Sequence, residues 1–199
     1  MSEAGKAAEP ISTLVARIGA DLQQLEDRLK LDGDQKCKVR FPRGFIRTAA
    51  HFRSRWWFIR DAALKRNVAY SLILSDVYRW LLNRTDLFGT PREMIIKEGV
   101  CLIGTLAESI TKDAMRKHCP KQTSFKKRMA KMTDLAIIDA GLQARLDALW
   151  DLRNREHLYL LDEREFGKYE LKHYNDAIRT LQALRDAIES WAITRDTPD

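Results

Sequence analysis

The chain has 199 residues, of which 45% are hydrophobic and 32% are charged, and its formal net charge is +7. Such a composition is that of a globular chain with a core of its own, so a disordered or fibrous chain is excluded. No apolar run approaches the roughly 20 residues that span a bilayer, and MSEAGKAAEP (1–10) lacks the apolar segment of a secretory signal. We therefore expect no membrane association and a cytoplasmic location. The three cysteines, Cys37, Cys101 and Cys119, have no metal-ligand spacing, so no metal and no cofactor are expected.

The N-terminal third is predicted to contain a tail, a helix and a basic segment. Residues 1–10 are expected to form a disordered tail. Apolar residues recur at helical spacing from Ile11 to about Leu31, which predicts a helix. The segment 36–45 is short, basic and broken by proline and glycine, so we expect a loop or an extended strap. A helical pattern resumes near Ile46 and runs to about residue 85, with room for a break.

A strong helix start follows in the stretch FGTPREM (88–94). Thr90 suits the N-cap position, Pro91 suits the first helical position, and Glu93 would complete a capping box. The helix that begins there is expected to extend to about Lys117. Its predicted buried positions are Ile95, Ile96, Val100, Ile103, Leu106 and Ile110.

Three further helices are predicted in the C-terminal part, at about 125–133 after a capping Ser124, at about 140–160, and at about 170–193. The last has apolar positions at helical spacing, namely Tyr174, Ala177, Ile178, Leu181, Leu184, Ile188 and Trp191. The predicted fold is all-α, an antiparallel four-to-five-helix bundle over 67–195. An N-terminal helix and a basic accessory region precede it over 11–66, and removal of residues 1–60 is expected to leave the bundle folded.

Positive charge is concentrated in residues 36–66, which contain ten basic residues and one acid and so carry +9. Such density predicts contact with a polyanion such as RNA, and contact with an acidic partner protein is the alternative. Trp56 could stack on an RNA base, or it could dock this region on the bundle. The candidate RNA-binding residues are Arg40, Arg43, Arg47, Arg53, Arg55, Trp56 and Arg60.

An arginine and a histidine interrupt the apolar stripe of the helix at 140–160. At about 100° per residue, the stripe contains Leu142, Leu146, Leu149, Arg153, His157 and Leu160. An unpaired buried guanidinium is costly, so Arg153 requires a partner, a cleft or an interface. The alternative is that Arg153 extends to the rim of the bundle and that His157 is a hydrogen-bonded core residue.

The stretch RNREHLY (153–159) resembles the Arg-Asn…His-x-Tyr motif of the HEPN superfamily, whose members are small helical bundles found in RNA-cleaving toxins, abortive-infection proteins and CRISPR effector nucleases. Three other segments look like helices of that family: VCLIGTLAESI (100–110), SFKKRMAKMTDLAIID (124–139) and KHYNDAIRTLQALRDAI (172–188). The resemblance covers about residues 67–193. Three residues separate the arginine from the histidine, where the family usually has four to six.

This resemblance implies a site and a reaction. His157 would transfer protons, Arg153 would stabilise the phosphate, and Asn154 would orient the site, with Glu108 and Tyr159 as auxiliary residues. We expect a metal-independent endoribonuclease, active as a homodimer in a bacterial toxin or antiviral defence system, with an antitoxin or another defence protein as a possible partner. The alternative is a non-catalytic HEPN-like domain that binds RNA or protein. A plain helical scaffold would leave Arg153 unexplained.

Overall fold

The computed structural model describes residues 9–32, 38–40, 44–154 and 167–196, and every regular element in these ranges is an α-helix. The all-α prediction is therefore confirmed. In chain order the helices are α1 (Ile11–Asp32), α2 (Ala49–Arg55), α3 (Ala62–Arg84), α4 (Gly89–Ala114), α5 (Phe125–Asp134), α6 (Ala140–Asn154) and α7 (Leu171–Asp196). Within the described part of the chain, no helix combines the length and the apolar character that crossing a membrane requires.

The chain divides into two compact units, Met1–Pro42 and Arg43–Asp199. Helix α1 belongs to the first unit and occupies the range predicted from its apolar spacing. The side chains that create this spacing are largely exposed, and Ile11, Val15 and Ile18 keep from 48% to 80% of their surface in solvent. The helices α2–α7 form the second unit.

Helix α4 is the centre of the second unit and packs against α3, α6 and α7, while α5 packs on α6 and α2 packs on α3. Five of its six predicted core positions are buried, namely Ile96, Val100, Ile103, Leu106 and Ile110, and Ile95 packs against them. The predicted stripe of α7 is also buried from Tyr174 to Ile188 at most positions, so the apolar spacing identified the faces that meet α4.

The basic segment before α3 contributes to the same core. Phe52 and Trp56 are buried, with 3% and 5% of their surface exposed, and Ile59 is buried after them. Thr48 begins α2 by accepting the N–H of His51. The sequence places the start of the bundle at residue 67, whereas the compact unit that contains the bundle begins at Arg43.

A local hydrogen bond accounts for the break between α2 and α3, whereas no side-chain cap begins α4. Asp61 accepts the N–H of Leu64 and so begins α3. The predicted capping box at Thr90 and Glu93 is wrong, because α4 begins at Gly89, two residues before the predicted first position, Pro91. Gly89 has a φ of +64°, which a residue with a side chain rarely adopts. The Glu93 carboxylate instead accepts the N–H of Gly167 at 2.6 Å.

Candidate functional site

Helix α6 places Arg153 on the face that packs against the bundle, as its spacing predicts. Leu142, Leu146 and Leu149 are buried on this face. Arg153 follows Leu149 by one helical turn, and 24% of its side-chain surface is exposed. The guanidinium therefore lies at the margin of the core, where a nearby anion would interact with it more strongly than in bulk water.

A glycine on α4 makes room for this arginine. A Cβ atom added at Gly104 would lie 2.9 Å from both Cβ and Cγ of Arg153, closer than real side chains approach. The two helices are therefore in close contact where α6 presents Arg153. Since Cβ and Cγ are the rigid base of the side chain, this contact limits the directions in which Arg153 can extend.

Two aromatic rings continue the support of Arg153. Its Cζ atom lies 4.9 Å from the centroid of the Trp150 ring, a cation–π distance. Trp150 in turn stacks on Phe125 of α5, with ring centroids 4.7 Å apart and an interplanar angle of 10°. Phe125 is buried, so the arginine rests on a rigid aromatic pair.

The structure brings Glu108, the predicted auxiliary residue, next to Arg153. The Nη2 atom of Arg153 lies 3.9 Å from Oε2 of Glu108, within ion-pair range but beyond a hydrogen bond. The other carboxylate oxygen, Oε1, accepts a hydrogen bond of 2.6 Å from Lys112 Nζ. Glu108 is thus shared between two cations, and the Arg153 guanidinium keeps donors that the carboxylate does not use.

Arg153 has hydrogen-bonding capacity left over. Its Nε atom is buried and has no hydrogen-bond partner within the described residues. Within the described part of the chain, its Nη1 atom donates one long bond of 3.4 Å, to Oδ1 of Asn154, the last residue of α6. A buried donor without a partner costs roughly 1–3 kcal/mol, so an anion that reached this guanidinium would relieve that cost.

A second arginine, which sequence reasoning missed, lies beside the same carboxylate. Arg128 of α5 is buried, with 2% of its surface exposed, and desolvation lowers its pKa while the charge of Glu108 opposes that effect. Its Nη2 donates to the Thr123 carbonyl, and its Nη1 is buried without a partner in the described ranges. The signal in the sequence that could have indicated its burial is the pair of apolar residues near it, Phe125 and Met129.

These residues border a cleft of about 420 Å³ between α4, the loop before α5, and α6. Its lining residues are Glu108, Lys112, Lys121, Gln122, Thr123, Ser124, Phe125, Lys126 and Trp150. Three of them are lysines and one is an acid. Lys112 is paired with Glu108 and Lys126 with Asp151, so the excess positive charge comes from Lys121 and from the adjacent Arg153 and Arg128. An anionic ligand is the class that such a cleft suits.

Acidic residues on α6 lie along one side of this cleft. Asp151 forms an ion pair of 2.7 Å with Lys126. Asp147, one turn earlier, has a buried Oδ1 atom without a partner in the described part of the molecule. Burial raises the pKa of Asp147 above its ordinary value, although Lys126 and Gln143 act in the opposite direction.

The other candidate residues of the site lie beyond the described residues. His157, the expected proton-transfer residue, and Tyr159 both belong to the range 155–166, so their positions stay predictions. Asn154 is the last described residue before that range and is exposed.

The candidate RNA-binding residues do not form a single exposed stripe. Trp56 is in the core, so it docks this region on the bundle and has no free ring face for an RNA base. Arg47 is held by Asp76, through bonds of 3.0 and 2.6 Å to the two carboxylate oxygens. Arg55 and Arg60 are exposed and Arg53 is half-buried. Arg40 is exposed in the first unit, and Arg43 lies outside the described residues.

Comparisons of this chain with protein-family models, with curated proteins and with solved structures find no match. The membership in the HEPN superfamily that the motif implies therefore stays a prediction.

Proposed function

We propose that this protein is a HEPN-like, metal-independent endoribonuclease whose site includes Arg153, Asn154, Glu108 and His157, and that it acts as a toxin or in antiviral defence. The observation that carries the proposal is the state of Arg153. Its side chain is supported by Gly104 and Trp150, and its buried Nε atom has no partner among the described residues. A guanidinium that is positioned but incompletely paired suits a phosphate group.

The chemistry follows from these side chains and from the RNA itself. His157 removes the proton of a ribose 2′-hydroxyl, since an imidazole titrates near neutral pH. The 2′-oxygen then bonds to the adjacent phosphorus, and the bond from phosphorus to the 5′-oxygen breaks. The His157 imidazolium gives its proton to the leaving 5′-oxygen, which becomes a hydroxyl, and the other product ends in a 2′,3′-cyclic phosphate. Arg153 stabilises the extra negative charge of the pentavalent intermediate.

In this proposal Glu108 positions Arg153 and does not transfer protons. Its Oε1 atom is occupied by Lys112 at 2.6 Å, and its Oε2 atom faces the arginine at 3.9 Å. A carboxylate between two cations fixes their directions while leaving net positive charge. Lys121 and Lys126 in the adjacent cleft would then hold the phosphates that flank the cut.

The alternative function is a non-catalytic HEPN-like domain that binds RNA or a protein partner, such as an acidic antitoxin. The spacing of Arg153 and His157, with three residues between them, favours this alternative, because the family motif usually has more. Both functions use the same positive cleft, so binding alone does not distinguish them.

The deciding experiment is incubation of the purified protein with total RNA in EDTA. We expect cleavage by the wild-type chain and none by Arg153→Ala or His157→Ala, with both variants folded by circular dichroism. Arg145→Ala is the matched control, since Arg145 is an exposed arginine on the same helix and lies outside the motif. If both motif variants cut RNA at the wild-type rate, the site assignment is wrong. Loss of cleavage in EDTA would contradict the metal-independent mechanism.

A further inference from the structure

A second positive pocket lies between α2, α3 and α7, and none of its lining residues belongs to the cleft beside Arg153. Four arginines line it: Arg47 before α2, Arg55 at the end of α2, Arg79 on α3 and Arg185 on α7. Trp56, Leu72, Ile103, Ile178 and Leu181 form its apolar part, and Phe52, Ser75 and Gln182 complete the lining. Four arginines, from three helices and from the segment before α2, thus line one small cavity.

The charges around this pocket are not balanced. Arg47 is neutralised by the buried Asp76, and Arg185 bonds to its neighbour Asp186. Arg55 and Arg79 form no ion pair or side-chain hydrogen bond with any described residue. Four positive charges against these two carboxylates leave a net charge of +2, and the apolar walls strengthen the resulting field.

Arg47 is preorganised to serve a ligand. Its Nε and Nη2 atoms bond to Asp76 at 3.0 and 2.6 Å, and its backbone N–H donates to the same carboxylate at 3.0 Å. Its Cζ atom also lies 4.6 Å from the centroid of the Phe52 ring. These contacts do not involve the remaining terminal nitrogen, Nη1, and because they already fix the side chain, little rotamer entropy would be lost if Nη1 donated to a ligand.

The geometry points to a site for a phosphate group. The cavity is small, with a volume of about 60 Å³, which favours a compact anion such as a phosphate group over a large one. A carboxylate is planar and pairs with one guanidinium fork, whereas the oxygens of a phosphate point in several directions and can meet arginines from different helices.

We propose that this pocket binds a backbone phosphate of a single nucleic-acid strand, as an anchoring site separate from the cleft at Arg153. A polynucleotide is favoured over an isolated phosphate because further arginines, Arg53 and the exposed Arg60, belong to the same basic segment that supplies Arg47 and Arg55. The pocket would hold one phosphate while the neighbouring segment attracts the next ones. This inference does not require cleavage, so it stands or falls separately from the proposed function.

The test is a binding titration with a labelled 2′-O-methyl oligonucleotide of about ten nucleotides, which cannot be cut through a 2′-hydroxyl. We compare the wild-type chain with a pocket variant that carries both Arg55→Gln and Arg79→Gln. The matched control carries Arg84→Gln and Arg179→Gln, which replace one exposed arginine on α3 and one on α7. The pocket variant should bind at least about tenfold more weakly, and its slope of log affinity against log salt should fall by about 0.7, the value for one phosphate of a single strand. The control should retain most of the affinity.

Gln182→Glu gives an independent second variant, because it places a negative charge at an exposed pocket position without changing the core. It should weaken binding in the same direction. Inorganic phosphate should raise the melting temperature of the wild-type chain above that in chloride of equal ionic strength, and this difference should be lost in Arg55→Gln with Arg79→Gln. Equal affinities and slopes for the pocket variant and the control would overturn the site. If a phosphoserine peptide binds the pocket and the oligonucleotide does not, the assignment to nucleic acid is overturned.

Discussion

Gly104 of α4 lies directly beneath Arg153 of α6, so closely that a Cβ atom at Gly104 would be 2.9 Å from both Cβ and Cγ of the arginine. This contact links helix packing to the position of the guanidinium. It also allows Arg153 to be displaced without changing any charged group.

We therefore expect Gly104→Ala to reduce both stability and RNA cleavage. Overpacking costs roughly 1–3 kcal/mol, and the gain of about 1 kcal/mol in helix propensity offsets only part of it. The measurements are the free energy of unfolding in urea and the rate of RNA cleavage. Gly19→Ala is the control, since a Cβ there meets nothing within 4 Å. A Gly104→Ala variant with wild-type cleavage would show that the position of Arg153 does not matter.

The sequence could predict which faces of the helices are buried but not which polar groups meet across them. Leu142, Leu146 and Leu149 are buried as their spacing predicts, because apolar periodicity is a local signal. The proximity of Glu108 to Arg153 could be anticipated only from the family resemblance. Arg47 and Asp76 are 29 residues apart in sequence. Their pairing depends on how the segment before α2 packs against α3, which no local pattern encodes.

Local signals also failed where a tertiary contact competed with them. Glu93 has the correct spacing for a capping box, but the structure uses its carboxylate to hold the backbone of Gly167. Arg128 looked like one basic residue among several on a short helix, and only the packing of α5 shows that it is buried.

We expect the protein to form a homodimer whose interface includes the end of α6. The reason is that Arg153 lies at the margin of the core and that its Nε has no partner among the described residues. A cleft shared by two copies would place this donor next to substrate. Sedimentation velocity at tens of micromolar measures the assembly state. A monomer at these concentrations that still cleaves RNA would contradict the shared cleft.

The raised pKa of Asp147 leads to a prediction about pH. A carboxyl group whose pKa is higher in the folded state than in the unfolded state favours folding when it is protonated. Its contribution is therefore fully present below the ordinary value of 3.8 and is lost as pH rises through the folded pKa. Asp147→Asn should raise the melting temperature at pH 7, and this gain should disappear below about pH 3.8.

Thermal melts of Asp147→Asn and Asp151→Asn across pH 3 to 8 provide the comparison. Asp151 is exposed and paired with Lys126, so its replacement should change stability less than that of Asp147, and in the unfavourable direction. If Asp147→Asn is less stable than wild type at pH 7, burial of the charge is not what limits stability there.

The residue at which an N-terminally truncated protein begins decides whether it folds. From the sequence, removal of residues 1–60 is expected to leave the bundle folded, because the helices from Thr90 onward and the apolar stripe through Trp191 do not require it. However, that deletion removes Phe52, Trp56 and Ile59 from the core, and each buried apolar side chain of this size contributes about 1.5–3 kcal/mol. It also removes Arg47, which donates three hydrogen bonds to the carboxylate of Asp76.

Together these losses are as large as the roughly 5–15 kcal/mol that stabilises a typical domain. A chain that begins at Arg43 retains Arg47 and the three core side chains, because it starts at the boundary between the two compact units. We expect this shorter deletion to melt cooperatively, near the temperature of the second unit in the full chain, and the deletion to residue 60 to be unfolded or aggregated. Circular dichroism melts and size-exclusion chromatography of the two truncated proteins measure the difference. A cooperative, monodisperse protein lacking residues 1–60 would show that α2 and the segment before it only cover the bundle and do not complete its core.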